Sequence, residues 1–551
     1  MKDSFGEDVS IVQEWSASMK ANAAKDPYWK AKVAAELKRN AHLADVINHK
    51  CSQCHAPMAN YESDGEAEIL GDKGVLDSSH PLHDAAMNGV SCTYCHQIEN
   101  TASLGTLEGF SGEVEISDQK VAYGQYSDPL QQQMINQVGF TPLYGEHMSG
   151  SELCASCHNL KTPFVDANGN LASTTPESEF PEQMPYTEWE NSIFSDTGSN
   201  PKSCQDCHMP ATSSKMSTRP STLPVREGFA KHRFSGANTV MLTLLRDNAA
   251  ALDVDITSID ANITRSREML QNAVTLEILS AGIDDDEAEI RLRLTNNSGH
   301  KAPTGYPSRR MWLHVRVTDS NGEIVFESGK VNKDGSINGA DNDSDLSRIE
   351  PHHDLITRED QVQIYESVMG DTDGNVTFTL LRASHYLKDN RLTPPGFDKN
   401  HVPLDVAVQG MALDDGDFNE GIDEITYRFE NSGSGDLTVE VMLNYQSITH
   451  GALVDLYKDE ETPEVRSFRN MYDAQSLKFE TMAVAETQIN MGDDDEDAPV
   501  QVEEDAPEVV EDDKTTYTSG GGGGGSIGWA WLLLSALLAA CGRRRIIRVP
   551  V

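Results

Sequence analysis

"SELCASCHNL", residues 151–160, places two cysteines three positions apart with a histidine directly after the second. The same frame recurs as "CSQCH" at 51–55, "CTYCH" at 92–96 and "CQDCH" at 204–208. The four units take up eight of the nine cysteines: Cys51, Cys54, Cys92, Cys95, Cys154, Cys157, Cys204 and Cys207. The ninth, Cys541, lies in an apolar tail, so nothing is left for a disulfide framework.

A single C-x-x-C pair could serve zinc or thiol redox chemistry. Zinc, however, needs such units in pairs, and a thioredoxin-like pair needs no histidine. Four separate copies, each followed at once by histidine, are the pattern of covalent c-type haem attachment. The two thiols add to the two vinyl groups of one porphyrin, and the adjoining histidine is held beneath the iron. The expectation is four haem c groups, with His55, His96, His158 and His208 as proximal iron ligands. No catalytic acid–base pair stands out.

Charge narrows the partners. The 551 residues include 44 basic and 88 acidic side chains, a formal charge of −44. Such a surface repels nucleic acid and anionic lipid and favours basic partners. The length leaves room for two or three domains.

Along the chain, residues 1–235 carry all four units. Helical patterns run through "SIVQEWSASMKANAAKD", "DPYWKAKVAAELKRN" (Pro27 suits a first turn) and "AHLADVINHKCSQCH". Between the units, Gly, Ser, Pro and Asp dominate, as expected where prosthetic groups fill the core. Residues 236–490 begin with two helical stretches and continue with alternating runs. These are "AVTLEILSA", "AEIRLRLTN", "MWLHVRVTD", "EIVFESGKV", "DEITYRFEN", "LTVEVMLNY" and "KFETMAVAE". That alternation predicts an antiparallel β-sandwich-like domain. "YLKDNRLTPPGFDKNHVPLD" reads as a long ordered loop, and "ADNDSD", residues 340–345, as a solvated acidic loop rather than a calcium site. The predicted fold is therefore a mainly α and irregular tetrahaem domain followed by a β-sandwich-like one.

Residues 491–526 form an acidic and Gly-rich linker, expected to be disordered. Residues 527–551 carry an apolar run from Ile527 to Cys541, shorter than the roughly 20 residues of a comfortable membrane span. Arg543, Arg544 and Arg545 close it and place the C-terminus on the cytoplasmic side. Glycines, short apolar helix and arginines together resemble the GlyGly-type C-terminal sorting signals of Gram-negative bacteria, which are cut and deliver their proteins to the cell surface. "MKDSFGEDVSIV" has no apolar stretch of a signal peptide, although haem is attached outside the cytoplasm. The expected N-terminus therefore lies upstream. The expected location is the periplasm or outer surface, with the tail as a transient or permanent anchor.

Several stretches resemble a family of bacterial multihaem cytochromes c related to the tetrahaem cytochrome c of nitrifiers. They are "SMKANAAKDPYWKAKV", "GVSCTYCHQI", "SELCASCHNL", "FPEQMPYTEWENS", "SCQDCHMP", "KHRFSGAN", "SGHKAPTGYPSRRMWLHV" and "YLKDNRLTPPGF". One departure is Lys20, where some relatives carry histidine. The resemblance implies electron transfer through closely packed haems, most irons being held by two histidines and poised at low potential. Seventeen histidines, less four proximal ones, leave thirteen for the distal positions. His147, His83 and His232 lie near the attachment units in sequence. His300, inside the turn-rich "NNSGHKAPTGYPSRR" (296–310), is read as capping a haem from the strand-rich half. His42, His49 and His80 are weaker alternatives, and His314 reads as a sheet-face residue. The function expected is electron carriage between redox partner proteins or extracellular acceptors. A multihaem oxidoreductase acting on a small nitrogen or sulfur compound and a subunit of a conductive assembly are the alternatives.

Overall fold

Pro27 opens the helix Pro27–Arg39, and Asp26 caps it by accepting from the Tyr28 and Trp29 amides. This is the cap-and-proline start the sequence predicts. Upstream, the expected long helix is shorter: only Ile11–Ser16 is helical, and tight turns follow to Lys25. The cause is local competition for carbonyls. Ser18 Oγ bonds the Trp15 oxygen, and Asn22 Nδ2 bonds those of Ser16 and Ser18.

The computed structural model describes residues 1–490 except 174, 216–221 and 285. The acidic linker and the apolar tail lie outside the described residues. Among those described, no helix is long and apolar enough to cross a membrane. All four cysteine units fall on helices: Ala44–His55, Cys92–His96, Glu152–His158 and Cys204–His208.

The seven alternating runs are all strands. We label the strands of the strand-rich half β1 (Val274–Asp284), β2 (Glu287–Asn296), β3 (Arg310–Thr318), β4 (Ile324–Ser328) and β5 (Leu355–Ile356). After them come β6 (Ile364–Gly370), β7 (His385–Asp389), β8 (Ile422–Glu430), β9 (Leu437–Gln446) and β10 (Glu480–Ile489). A six-stranded sheet runs β7-β6-β3-β9-β10 with β4 on β3, and a four-stranded sheet runs β5-β8-β2-β1. Inward residues of both sheets share one core: Ile290, Leu292 and Leu294 of β2, Leu313 and Val315 of β3, Tyr427 of β8, and Val439 and Val441 of β9. Burying each such side chain contributes roughly 1.5–3 kcal/mol.

Two strands escape the pattern. β6 is buried along its whole length and keeps Glu366 inside against Lys388 at 3.2 Å, so no polar alternation marks it. β7 occupies the start of the stretch read as a loop. It pairs with β6, while the chain beyond it is irregular apart from a short 3-10 turn at Leu404–Val406. His314 lies on β3 with Nε2 at 3.3 Å from Glu327, the sheet-face role expected of it. Within "ADNDSD", Asp343 takes two bonds from the buried Arg310.

The core does not stop where the cysteine units end. Phe110, Ala155, Met184, Tyr186 and Trp189 belong to the same cluster as the strands. A second cluster joins Tyr28, Ala31 and Ala35 to Leu244, Leu245, Leu453 and Phe468.

Candidate functional site

In each unit the two cysteines and the histidine occupy helix positions i, i+3 and i+4, which share one face. Ser91 and Ser203 cap two of the helices by accepting from the Tyr94 and Asp206 amides. The units converge. Cys54 lies beside Cys157, and Cys154 beside Cys204. The third unit thus touches both the first and the fourth.

The sulfurs gather in pairs. Among the described residues, no group of three or more cysteine or histidine ligand atoms from these units is close enough to share one ion, so a zinc cage does not fit. Burial raises the Cys51 thiol far above its ordinary range and pushes Cys95 up to about 11.

The histidines carry the strongest pattern. Nδ1 of His55, His96 and His208 lies 3.2, 2.6 and 2.8 Å from the carbonyls of Ala23, Tyr123 and Ser235. Nδ1 of His232 and His300 lies 3.0 Å from the Ala230 and Lys301 carbonyls. A carbonyl only accepts, so each Nδ1 carries the proton and each Nε2 keeps its lone pair. This is the arrangement of a metal-ligating imidazole oriented by a backbone partner. Burial lowers all five, His55 and His232 to about 4, so the rings stay neutral.

These rings face one another in two pairs. His96 and His232 have centres 6.3 Å apart and planes within 24°. For His208 and His300 the values are 6.4 Å and 16°. Two metal–nitrogen bonds of about 2 Å between facing imidazoles place their centres roughly 6 Å apart. Both pairs therefore fit a metal held between two Nε2 atoms, and each pair contains a histidine next to two cysteines. Phe234 takes a φ of 47°, which bulky residues avoid, and turns the chain between His232 and Ser235.

The His300 loop is tied down from several directions. Asn296 Nδ2 donates to the carbonyls of His300, Leu392 and Thr393. Glu188 accepts from the Lys301 amide at 3.1 Å and from Thr304 Oγ1 at 2.6 Å. Lys301 Nζ, fully buried, lies 2.7 Å from Asp389, which also binds Arg391.

The other expected candidates sit elsewhere. His83 Nδ1 lies 3.3 Å from the Val75 carbonyl and His49 Nδ1 3.2 Å from that of Gly65, which leaves both Nε2 atoms available. His42 and His147 instead spend Nε2 on the carbonyls of Gly169 and Ile98. His147 is buried, and among the described residues its Nδ1 has no hydrogen-bond partner. His80 Nδ1 accepts from the Leu82 amide. His55 is stacked on the indole of Trp29, with centres 4.7 Å apart and planes within 7°. His158 Nε2 lies 3.0 Å from Nζ of Lys20, a residue absent from the candidates read from sequence. The only trace of it there is the departure from histidine at that position.

A second polar cluster, His352 with Asp415 and Asp423, brings three ligand side chains together. His352 Nδ1 accepts from the amides of Gln363 (2.9 Å) and Asn390 (3.0 Å). Backbone amides of His353 and Glu366 fix the orientation of both side chains. Nε2 therefore carries the proton and donates to Asp415 at 2.9 Å, which suits a structural hub and not a metal ligand.

No family model and no curated protein sequence matches this chain. Among solved structures, a penta-heme cytochrome c552 from Thermochromatium tepidum is similar, with a TM-score of 0.46 and 16% identity. The similarity covers 87% of this chain and 96% of that one.

Proposed function

We propose that this chain is a multihaem c-type cytochrome that carries electrons through four covalently attached haems. Haem c supplies one-electron chemistry at iron when bound. The cysteine pairs of the four units would hold the groups through thioethers, and His55, His96, His158 and His208 would bind from the proximal side. His232 and His300 would complete two of the sites. The observation that carries this reading is the pair of facing imidazole couples, each ring fixed by a backbone carbonyl and each couple set beside a C-x-x-C unit.

What the chain's residues do is position and insulate. Half-buried neutral imidazoles on both sides favour a low potential, because two nitrogen donors stabilise the ferric state. The nearness of the first, third and fourth units supports a continuous path between sites. The strand-rich half, read as sandwich-like, contributes His300 and so acts as part of the site. The acidic surface suits basic redox partners, and the tail suits export to the periplasm or cell surface.

The test is expression with an export leader in a host that matures c-type cytochromes. Four porphyrins by mass and by haemochrome assay, low-spin ferric spectra and no carbon monoxide binding are expected. A colourless product would end the proposal. The oxidoreductase reading finds its support at His55, whose ring neighbour among the described residues is Trp29 and not a second imidazole. One bound equivalent of carbon monoxide, retained after changes at the other three sites, would favour that reading.

A further inference from the structure

We infer that Lys20 is the sixth ligand of the haem held by Cys154, Cys157 and His158, giving one His/Lys site beside His/His sites. The inference rests on the multihaem reading above and concerns how one site of it is completed. It starts from position: Lys20 Nζ stands 3.0 Å from His158 Nε2, about 1 Å short of the span of two nitrogen–metal bonds, so a small withdrawal of its flexible arm admits iron between them. His232 and His300 face His96 and His208 with ring centres 6.3 and 6.4 Å apart.

The lysine is not an ordinary surface cation. It is half-buried, and among the described residues no carboxylate lies within ion-pair distance of it, although acidic residues outnumber basic ones two to one. Its other recorded contact is the Phe234 ring, whose centre is 5.5 Å from Nζ. Phe234 belongs to the same turn that supplies His232 and the carbonyl holding His208.

Its backbone is locked as a ligand's must be. The Val90 amide donates to the Lys20 carbonyl at 3.0 Å, and Trp15 Nε1 donates to the Val90 carbonyl at 2.8 Å. Gly89 lies so close that a Cβ there would sit 2.5 Å from the Lys20 oxygen. Asn262 Nδ2, from a helix in the other half, fixes the Ala17 carbonyl at 2.9 Å. A turn pinned on three sides delivers a four-carbon arm whose tip meets the His158 imidazole. On ligation the ammonium releases one proton to solvent, and its nitrogen lone pair forms the bond to iron. No electron is transferred in that step.

The experiment uses the exported, matured full chain, with porphyrin count measured first. Lys20→Gly is expected to keep four porphyrins while one quarter of the ferric haem becomes high-spin and one equivalent of carbon monoxide binds. Added propylamine should restore the low-spin signal. Lys20→His should stay low-spin but replace the distinct electron-paramagnetic-resonance signal of one site by a His/His signal. Lys20→Arg separates ligation from charge, because guanidinium stays protonated and cannot ligate. It should behave like Lys20→Gly. Four unchanged low-spin signals in Lys20→Gly, or wild-type behaviour of Lys20→Arg, would overturn the inference and leave the multihaem reading intact. Absence of porphyrin in the wild type would remove both.

Discussion

His208 and His300 face each other with ring centres 6.4 Å apart, although one belongs to a cysteine-unit helix and the other to a loop that opens β3. The two halves of the chain thus meet across a site, and the loop's many turn residues serve to hold one imidazole still.

Replacing His300 by glycine should convert one haem in four to a high-spin ferric form. Added imidazole should reverse the change, and His96, paired with His232, should be unaffected. Optical and electron paramagnetic resonance titrations read both outcomes.

Asp389 is the anion between Lys301 and Arg391, all three buried. Asp389→Asn would strand the buried Lys301 cation, while Arg391 keeps Glu188 at 2.9 Å, a cost of about 3–5 kcal/mol. Denaturant unfolding should show the loss. The same variant should also perturb the His208–His300 site, since Lys301 adjoins His300.

Glu182 is buried and accepts from Thr162 Oγ1 at 2.6 Å. Burial raises its carboxyl from 4.5 to about 7. Below 4.5 the folded and unfolded chains both keep its proton. Between 4.5 and 7 the unfolded chain releases it first, so stability falls as pH rises through that window. Glu182→Gln should flatten this slope, removing the roughly 3 kcal/mol that the wild type loses between pH 4 and pH 8. Chemical denaturation across the pH range is the measurement.

Asp26→Ala removes the cap of the helix that carries Trp29 against His55. A loss of about 1 kcal/mol is expected. Unchanged stability would show that Pro27 and the packing of Tyr28 and Ala31 suffice to start the helix.

Much of the fold is legible in the chain. Period-two alternation marks seven strands because one face of each meets a shared core. β6 hides because both its faces are covered and Glu366 finds Lys388 inside. The short helix at Ile11–Ser16 hides for the opposite reason: Ser18 and Asn22 look tolerable in a helix, yet their side chains claim its carbonyls. Among the distal candidates, nearness to a cysteine unit gives poor guidance. His147 lies a few residues before Cys154 but turns Nε2 to the Ile98 carbonyl. His300, far from any unit, stands opposite His208.

On the proposed reading, the order of residues alone determines where porphyrin would be tethered, because thiol, thiol and imidazole at i, i+3 and i+4 lie on one helical face. Which nitrogen stands across from each tethered imidazole is decided only by the tertiary structure. His232, His300 and Lys20 reach their stations through turns, carbonyl bonds and packing between segments distant in the chain. No local spacing encodes those meetings.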